Sequence, residues 1–365
     1  MLKTTGLKIG IIGYGVVGSA TAHRLYDLGN EIYVHDIRPP EKLNYWKEDF
    51  KFRPVYNLNE TDATFLILPT PSNEDKLYRD MPWDQRRRLA EGNFAHSLDK
   101  SAYDSVTENL GKGLRSKDNY HLFIVRSTVE PGTTRGIGMK LQEISGKNMG
   151  RDYSMGMIPE FLRAFNNLED EVSLPKLIAG HHDQKGLDLI QKIYQNLQPD
   201  ETGRSKIYPM TLEEAELIKM EHNALNATWI ALNNARQQFY ELLGEKGIQI
   251  DYKKMTNVLT TMTESFTNPK YGTKAGVPFG GTCLKKDPGA LHSWAEDEMR
   301  VSCHFTRFIE LALHQNLHMQ KRIFNDHLIP QTTEQSLEEL ASRNHETYDN
   351  IKKVQQAIQD IKSKG

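Results

Sequence analysis

Residues 280–287 read Gly-Gly-Thr-Cys-Leu-Lys-Lys-Asp, so Cys283 follows a glycine pair and stands where a helical pattern begins. A helix N-terminus and neighbouring ammonium groups both favour thiolate over thiol, which turns a sulfur into a nucleophile. The glycines would let a large ligand reach it, although a buried, inert cysteine fits the same residues. Glu216, Lys219 and Asn223 recur at helical spacing, with the last two one turn apart on one face. A cation beside an amide can hold or deprotonate a hydroxyl; by spacing alone a solvated helix face is the plainer reading. The third group is Gly13-Tyr14-Gly15-Val16-Val17-Gly18, which follows an apolar run and opens a helical one. In that pattern the first glycine makes the tight turn, the second admits a pyrophosphate to the backbone, and the third lets helix pack on strand. Asp36, at the end of the next apolar run, is placed to meet an adenosine ribose and to repel a 2′-phosphate. This favours NAD as cofactor, with Arg38 nearby acting in the opposite sense.

These groups need a scaffold. Residues 8–13, 31–35, 64–68, 121–125, 153–158 and 176–179 read as strands, and helical patterns cover 19–28, 98–114 and 134–144. Alternation of this kind predicts an α/β fold, a Rossmann-like, doubly wound parallel sheet, over residues 1–205. From Thr211 a good N-cap signature opens one proline-free helix reaching about Leu243, long enough to call for a partner surface. Further helices are expected at about 251–262, 284–297 and 301–324, giving an all-α domain over 206–328 that carries the cysteine loop. Residues 72–97, with Arg86-Arg87-Arg88, read as a polar surface insertion. The stretch 329–365 carries a weak heptad seam and reads as an amphipathic helix or tail, packing on its own chain or self-associating.

The chain has 365 residues, with 46 Lys and Arg against 48 Asp and Glu for a formal charge of −2. Length alone suggests two domains. Near-neutral charge argues against a protein built to coat nucleic acid or an anionic membrane, so any anion must be held locally. Cys283 and Cys303 form neither a C-x-x-C pair nor a zinc spacing, so no metal is expected. No secretory pattern begins the chain and no uncharged apolar run approaches about 18 residues. A cytoplasmic protein is the expectation.

Taken in order, the motifs resemble the UDP-glucose/GDP-mannose dehydrogenase family. The matching pieces are 13–18, Asp36, Leu68-Pro69-Thr70-Pro71, 126–134 (Arg-Ser-Thr-Val-Glu-Pro-Gly-Thr-Thr), Pro159-Glu160-Phe161-Leu162-Arg163, 214–224 and 274–287. The resemblance implies oxidation of the C6 alcohol of a nucleotide sugar, UDP-glucose above all, to the carboxylate with two NAD+. By the same matching Cys283 would capture the aldehyde and carry the thioester, Lys219 and Asn223 would stabilise the oxyanion, and Asp287 would assist proton transfer. Glu160 with Thr128 would position or activate the hydrolytic water. Thr70, Pro71, Ser127, Thr128 and Lys286 would line the cofactor. Glu160, Phe161, Leu162, Lys219, Asn223, Phe279 and Gly280 would hold the sugar. A homodimer through the long helix, 211–243, is implied as well.

Three departures stand out. The family continues into a further α/β domain announced by a Gly…Phe-Lys segment and Asp-x-Arg-x-Ser-Pro, and neither follows residue 290. Ala164 and Phe165 replace a glutamate and a glycine, and Pro278 replaces a glycine before the cysteine. Two other readings compete: a two-electron dehydrogenase resembling the β-hydroxyacid dehydrogenases, which needs no cysteine, and an assembly protein that binds NAD without catalysis.

Overall fold

The computed structural model describes residues 4–54, 56–72, 97–162, 171, 177–197, 207–268, 271–273, 278–279 and 282–325. The polar insertion and the heptad tail thus lie outside the described residues, apart from the ends of the former. The chain divides into two units, Met1–Ala224 and Leu225–Gly365.

In the first unit the elements run β1 (Lys8–Ile12), α1 (Val16–Asp27), β2 (Glu31–His35), β3 (Lys51–Phe52), β4 (Ala63–Leu66), α2 (Ser101–Leu114), β5 (His121–Val125), α3 (Thr133–Ser145), β6 (Tyr153–Met157), β7 (Leu177–His181), α4 (Gln184–Ile193) and β8 (Ile207–Thr211). The strands form one sheet in the order β3-β2-β1-β4-β5-β6-β7-β8, parallel throughout except where β6 meets β7. This is the Rossmann-like α/β fold expected. Strand β5, His-Leu-Phe-Ile-Val, is buried at every position, because helices cover both faces of a parallel sheet. Its residues alternate between two cores. Leu122 and Ile124 join Ile9, Ile11, Phe65 and the apolar faces of α1 and α4, while Phe123 and Val125 join Leu66 and the inner faces of α2 and α3.

Two strands escape the apolar-run signal. β3 has two residues, and β8 is an edge strand carrying Pro209, tolerable there because β8 pairs only with β7. β8 passes straight into α5 (Leu212–Glu245), a helix of 34 residues. Thr211 and Glu214 form a capping box: the Thr211 N–H donates to Glu214 Oε2 at 2.8 Å and the Glu214 N–H to Thr211 Oγ1 at 3.2 Å.

The second unit holds the rest of α5, then α6 (Tyr252–Met262), a short α7 (Glu264–Thr267), α8 (Thr282–Ser293) and α9 (His304–Asn325). The helix expected over 284–297 ends at Ser293, and a π-turn, Trp294–Glu298, continues it. Phe239, Leu243, Ala295, Val301 and Cys303 form this unit's core. Asp251 caps α6 by accepting the Lys254 N–H at 3.0 Å.

Candidate active site

The loops after β1, β4, β5 and β6 all leave the carboxyl edge of the sheet, the edge at which open α/β sheets bind ligands. After β1, Gly13 has φ of +92°, and a Cβ there would lie 2.2 Å from the Ile67 carbonyl oxygen. A Cβ on Gly18 would lie 2.0 Å from the Gly13 oxygen, whereas one on Gly15 would meet nothing within 4 Å. The turn is therefore closed on its protein side and open at Gly15. Gly15 is also the N-cap of α1, whose first turn has no side-chain cap and no acidic residue, so positive helix-end charge faces the opening. Tyr14 turns its ring inward against Trp46 and Phe50, leaving its backbone to the turn. Val16 is exposed and Val17 packs on the core.

Asp36 lies beside this turn and accepts the Tyr14 N–H at 2.7 Å. Burial works to raise its carboxyl, but hydrogen bonds from the Arg38 side chain and N–H and from Tyr14 hold it below the usual carboxylate range.

Side-chain bonds draw the next two loops together. Thr70 Oγ1 donates to the Thr128 carbonyl at 2.8 Å and Ser127 Oγ to the Leu68 carbonyl at 2.6 Å. Thr70, Ser127 and Thr128 are thus tied together, with Pro71 next in the chain, where its carbonyl accepts the Asp99 N–H. β5 and β6 pair in register up to Val125 and Met157, so Thr128 and Glu160 each stand three residues beyond the last pair. The Glu160 carboxylate accepts the Leu162 N–H at 2.7 Å and meets Lys219 Nζ at 3.3 Å. Lys219 Nζ also stands 5.2 Å from the centre of the Phe161 ring. The Lys219 and Glu160 side chains are 7% and 16% exposed, so the pair is largely withdrawn from water. Asn223, one turn further along α5, is exposed.

Lys219 owes its place to Glu216. That buried carboxylate accepts the N–H groups of Gly132 and Thr134, each at 2.6 Å, and so binds α5 to the first turn of α3. Burial raises the Glu216 carboxyl; the two backbone bonds oppose the shift without cancelling it. A second support joins β5 to β6. Arg126 is fully buried, donates from Nη2 to both Glu171 oxygens at 2.6 Å, and reaches the Ile158 carbonyl from Nη1 at 3.4 Å. Spacing alone reads Glu216 and Lys219 as a solvated face, whereas both are buried, because neither support has a local signal: the partners lie 84 and 45 residues away.

The remaining candidates belong to the second unit. Cys283 is the second residue of α8 and is exposed, whereas Cys303 is buried. Lys286 and Asp287, both well exposed, pair at 3.3 Å, and Phe279 is half-buried. Gly280, Ala164 and Phe165 lie outside the described residues.

Two stretches match models of a single family. Residues 47–198 match its NAD binding domain and residues 213–317 its central domain. The chain belongs to the UDP-glucose/GDP-mannose dehydrogenase family. Residues 8–77 also match a model described as NADP oxidoreductase, coenzyme F420-dependent. Among relatives of the dehydrogenase family, the UDP-glucose 6-dehydrogenase of Haloferax volcanii is 26% identical over 332 residues, 85% of this chain and 69% of that protein. The GDP-mannose 6-dehydrogenase of Pseudomonas syringae pv. tomato is 30% identical over 308 residues, 78% of this chain and 63% of that one. This chain therefore spans about two thirds of the length of these curated relatives. Among solved structures, a ternary complex of GDP-mannose dehydrogenase from Pseudomonas aeruginosa superposes with a TM-score of 0.68 at 24% identity, covering 87% of this chain and 70% of that one. The UDP-glucose dehydrogenase of Pyrobaculum islandicum gives 0.55 at 22%, covering 86% and 70%. Both show the fold. NAD is the cofactor of a UDP-glucose/GDP-mannose dehydrogenase, and the opening at Gly15 fits its pyrophosphate. Among the described residues no helix is long and apolar enough to cross a membrane, and no group of three His, Cys, Asp or Glu could hold a metal ion.

Proposed function

We propose that the chain is an NAD-dependent nucleotide-sugar 6-dehydrogenase that oxidises the C6 alcohol of UDP-glucose, or a related sugar nucleotide, to the carboxylate. The observation that carries this reading is the exposure of Cys283 at the start of α8. A buried cysteine would have favoured the inert alternative, and a two-electron dehydrogenase has no use for a presented thiol.

NAD+, held at the glycine turn 13–18, would supply the hydride acceptor for each of the two oxidations at C6. Lys219 and Asn223 hold the C6 oxygen and oppose the negative charge that develops there. The Cys283 thiolate adds to the aldehyde carbon, and Asp287 takes part in the proton transfers of that step. Loss of the second hydride leaves a thioester on Cys283. Glu160, with Thr128, positions the water that hydrolyses it, releasing the carboxylate and the thiol. One alcohol and one water thus yield one carboxylate, with two hydrides and three protons removed. The motif match assigns Glu160, Phe161, Leu162 and Phe279 to the sugar and Lys286 to the cofactor.

The deciding experiment counts NADH formed per sugar nucleotide consumed, with Cys283→Ser in parallel. Two NADH, with loss of acid formation in the variant, is the expected outcome. One NADH, unaffected by the substitution, would instead select the two-electron class, and NAD binding without turnover on any sugar nucleotide or hydroxy acid would select the assembly protein.

The same reading includes a homodimer through α5. Leu225 and Ile230 in mid-helix are 70% and 60% exposed, Trp229 stacks edge-on with Phe266, and α6 has no buried residue at all. Apolar side chains left in water at this density support that reading.

A further inference from the structure

Asp36 stands just past the end of β2, where an acidic side chain would receive the hydroxyls of an adenosine ribose. In this chain its carboxylate is already engaged. Oδ2 accepts the Tyr14 N–H at 2.7 Å and Arg38 Nη2 at 3.1 Å, while Oδ1 accepts the Arg38 N–H and Nε, both at 2.9 Å. A carboxylate offers about four lone-pair sites, and these bonds take them all. Arg38 Nη2 also donates to the Tyr14 carbonyl at 3.0 Å, so the guanidinium bridges Asp36 and the glycine turn. The Arg38 side chain is 46% exposed and that of Asp36 only 7%. The group an incoming ribose meets first is the arginine.

We propose that Arg38 sets how the chain reads the 2′ position of the adenosine ribose, by competing with the ribose hydroxyls for Asp36 and by offering its guanidinium to a 2′-phosphate. The proposal rests on NAD occupying the glycine turn, as the family assignment has it. Two consequences follow from the bonding. Ribose hydroxyls can reach Asp36 only if Arg38 gives up part of its hold, so the ion pair weakens NAD binding. A 2′-phosphate, which a lone carboxylate would repel, meets one whose charge is offset by a neighbouring fork of donors suited to phosphate. Preference for NAD over NADP is therefore narrower than Asp36 alone would impose. The Tyr14 N–H still anchors Asp36 when Arg38 is removed, so the substitution isolates the competition.

The test titrates NAD+ and NADP+ separately into the unsubstituted chain, Arg38→Ala and Arg38→Lys by calorimetry, without sugar nucleotide and with thermal unfolding as a check on folding. Arg38→Ala should tighten NAD+ and weaken NADP+, widening the ratio of dissociation constants severalfold, the scale of a half-exposed ion pair. Arg38→Lys, which keeps the charge but loses the fork, should fall between. Equal shifts for both dinucleotides, no shift in either, or a greater loss of NAD+ than of NADP+ would overturn the proposal. If the unsubstituted chain binds neither dinucleotide, the cofactor assignment fails on that measurement alone, and the proposal with it.

Discussion

At the residue scale, the chain spends its buried charges on support. Arg126 and Glu171 are both shielded from water, so removing one partner leaves the other's charge buried and uncompensated. Glu171→Gln should lower unfolding stability by about 3–5 kcal/mol, whereas Arg126→Met with Glu171→Leu should recover most of that loss. Urea unfolding of the two variants checks it; a double variant no better than the single one would contradict the account. Glu216 behaves differently because its folded pKa lies above its unfolded one. Its contribution is fully present below the ordinary glutamate range and is lost as pH rises through the raised value. Unfolding of wild type and Glu216→Gln at about pH 4.5 and about pH 7 should show the wild-type advantage shrinking upward, and an advantage that grows with pH would refute the assignment. Of these residues the sequence reveals identity and neighbourhood only. Lys219 and Glu160 could be named from motif order, but their mutual approach depends on Glu216 finding α3, a pairing that no local pattern encodes.

At the scale of elements, the strand-turn-helix unit at 8–27 carries the clearest division between folding and binding. Gly18→Ala drives a Cβ into the Gly13 carbonyl and should cost stability, measurable as a lower melting temperature. Gly15→Ala has open space around it, so it should fold normally yet weaken NAD+ binding by about tenfold or more, on the order of 1.4 kcal/mol. Calorimetry and thermal melts together separate the two effects; a Gly15→Ala chain that binds as before would remove the pyrophosphate from this turn. The elements legible in advance are those with continuous apolar runs: β1, β2 and β5 match their expected limits within a residue. β8 is not legible in the sequence because an edge strand with an exposed tyrosine and a proline has no such run, and its pairing with β7 is visible only once the sheet exists. The division of α8 from the π-turn that follows is likewise hidden, since helical periodicity passes smoothly through both.

At the scale of the whole molecule, self-association should be measurable by light scattering at micromolar concentration. The unsubstituted chain should weigh as a dimer, and Leu225→Glu with Ile230→Glu should weigh as a monomer; a monomeric unsubstituted chain would remove the dimer from the proposal. Near-neutral charge argues against a nucleic-acid coat and leaves the family motifs to do the rest, whereas apolar exposure on α5 and α6 can be read only from the structure. That helix has another consequence. The division between the two units, at 224/225, falls inside α5 and not in a loop. Proteases need an extended segment to engage, so limited digestion has no purchase at this boundary. A gene cut there would strand roughly four carbonyls on one fragment and four N–H groups on the other, which makes separate expression of the halves a poor route to either.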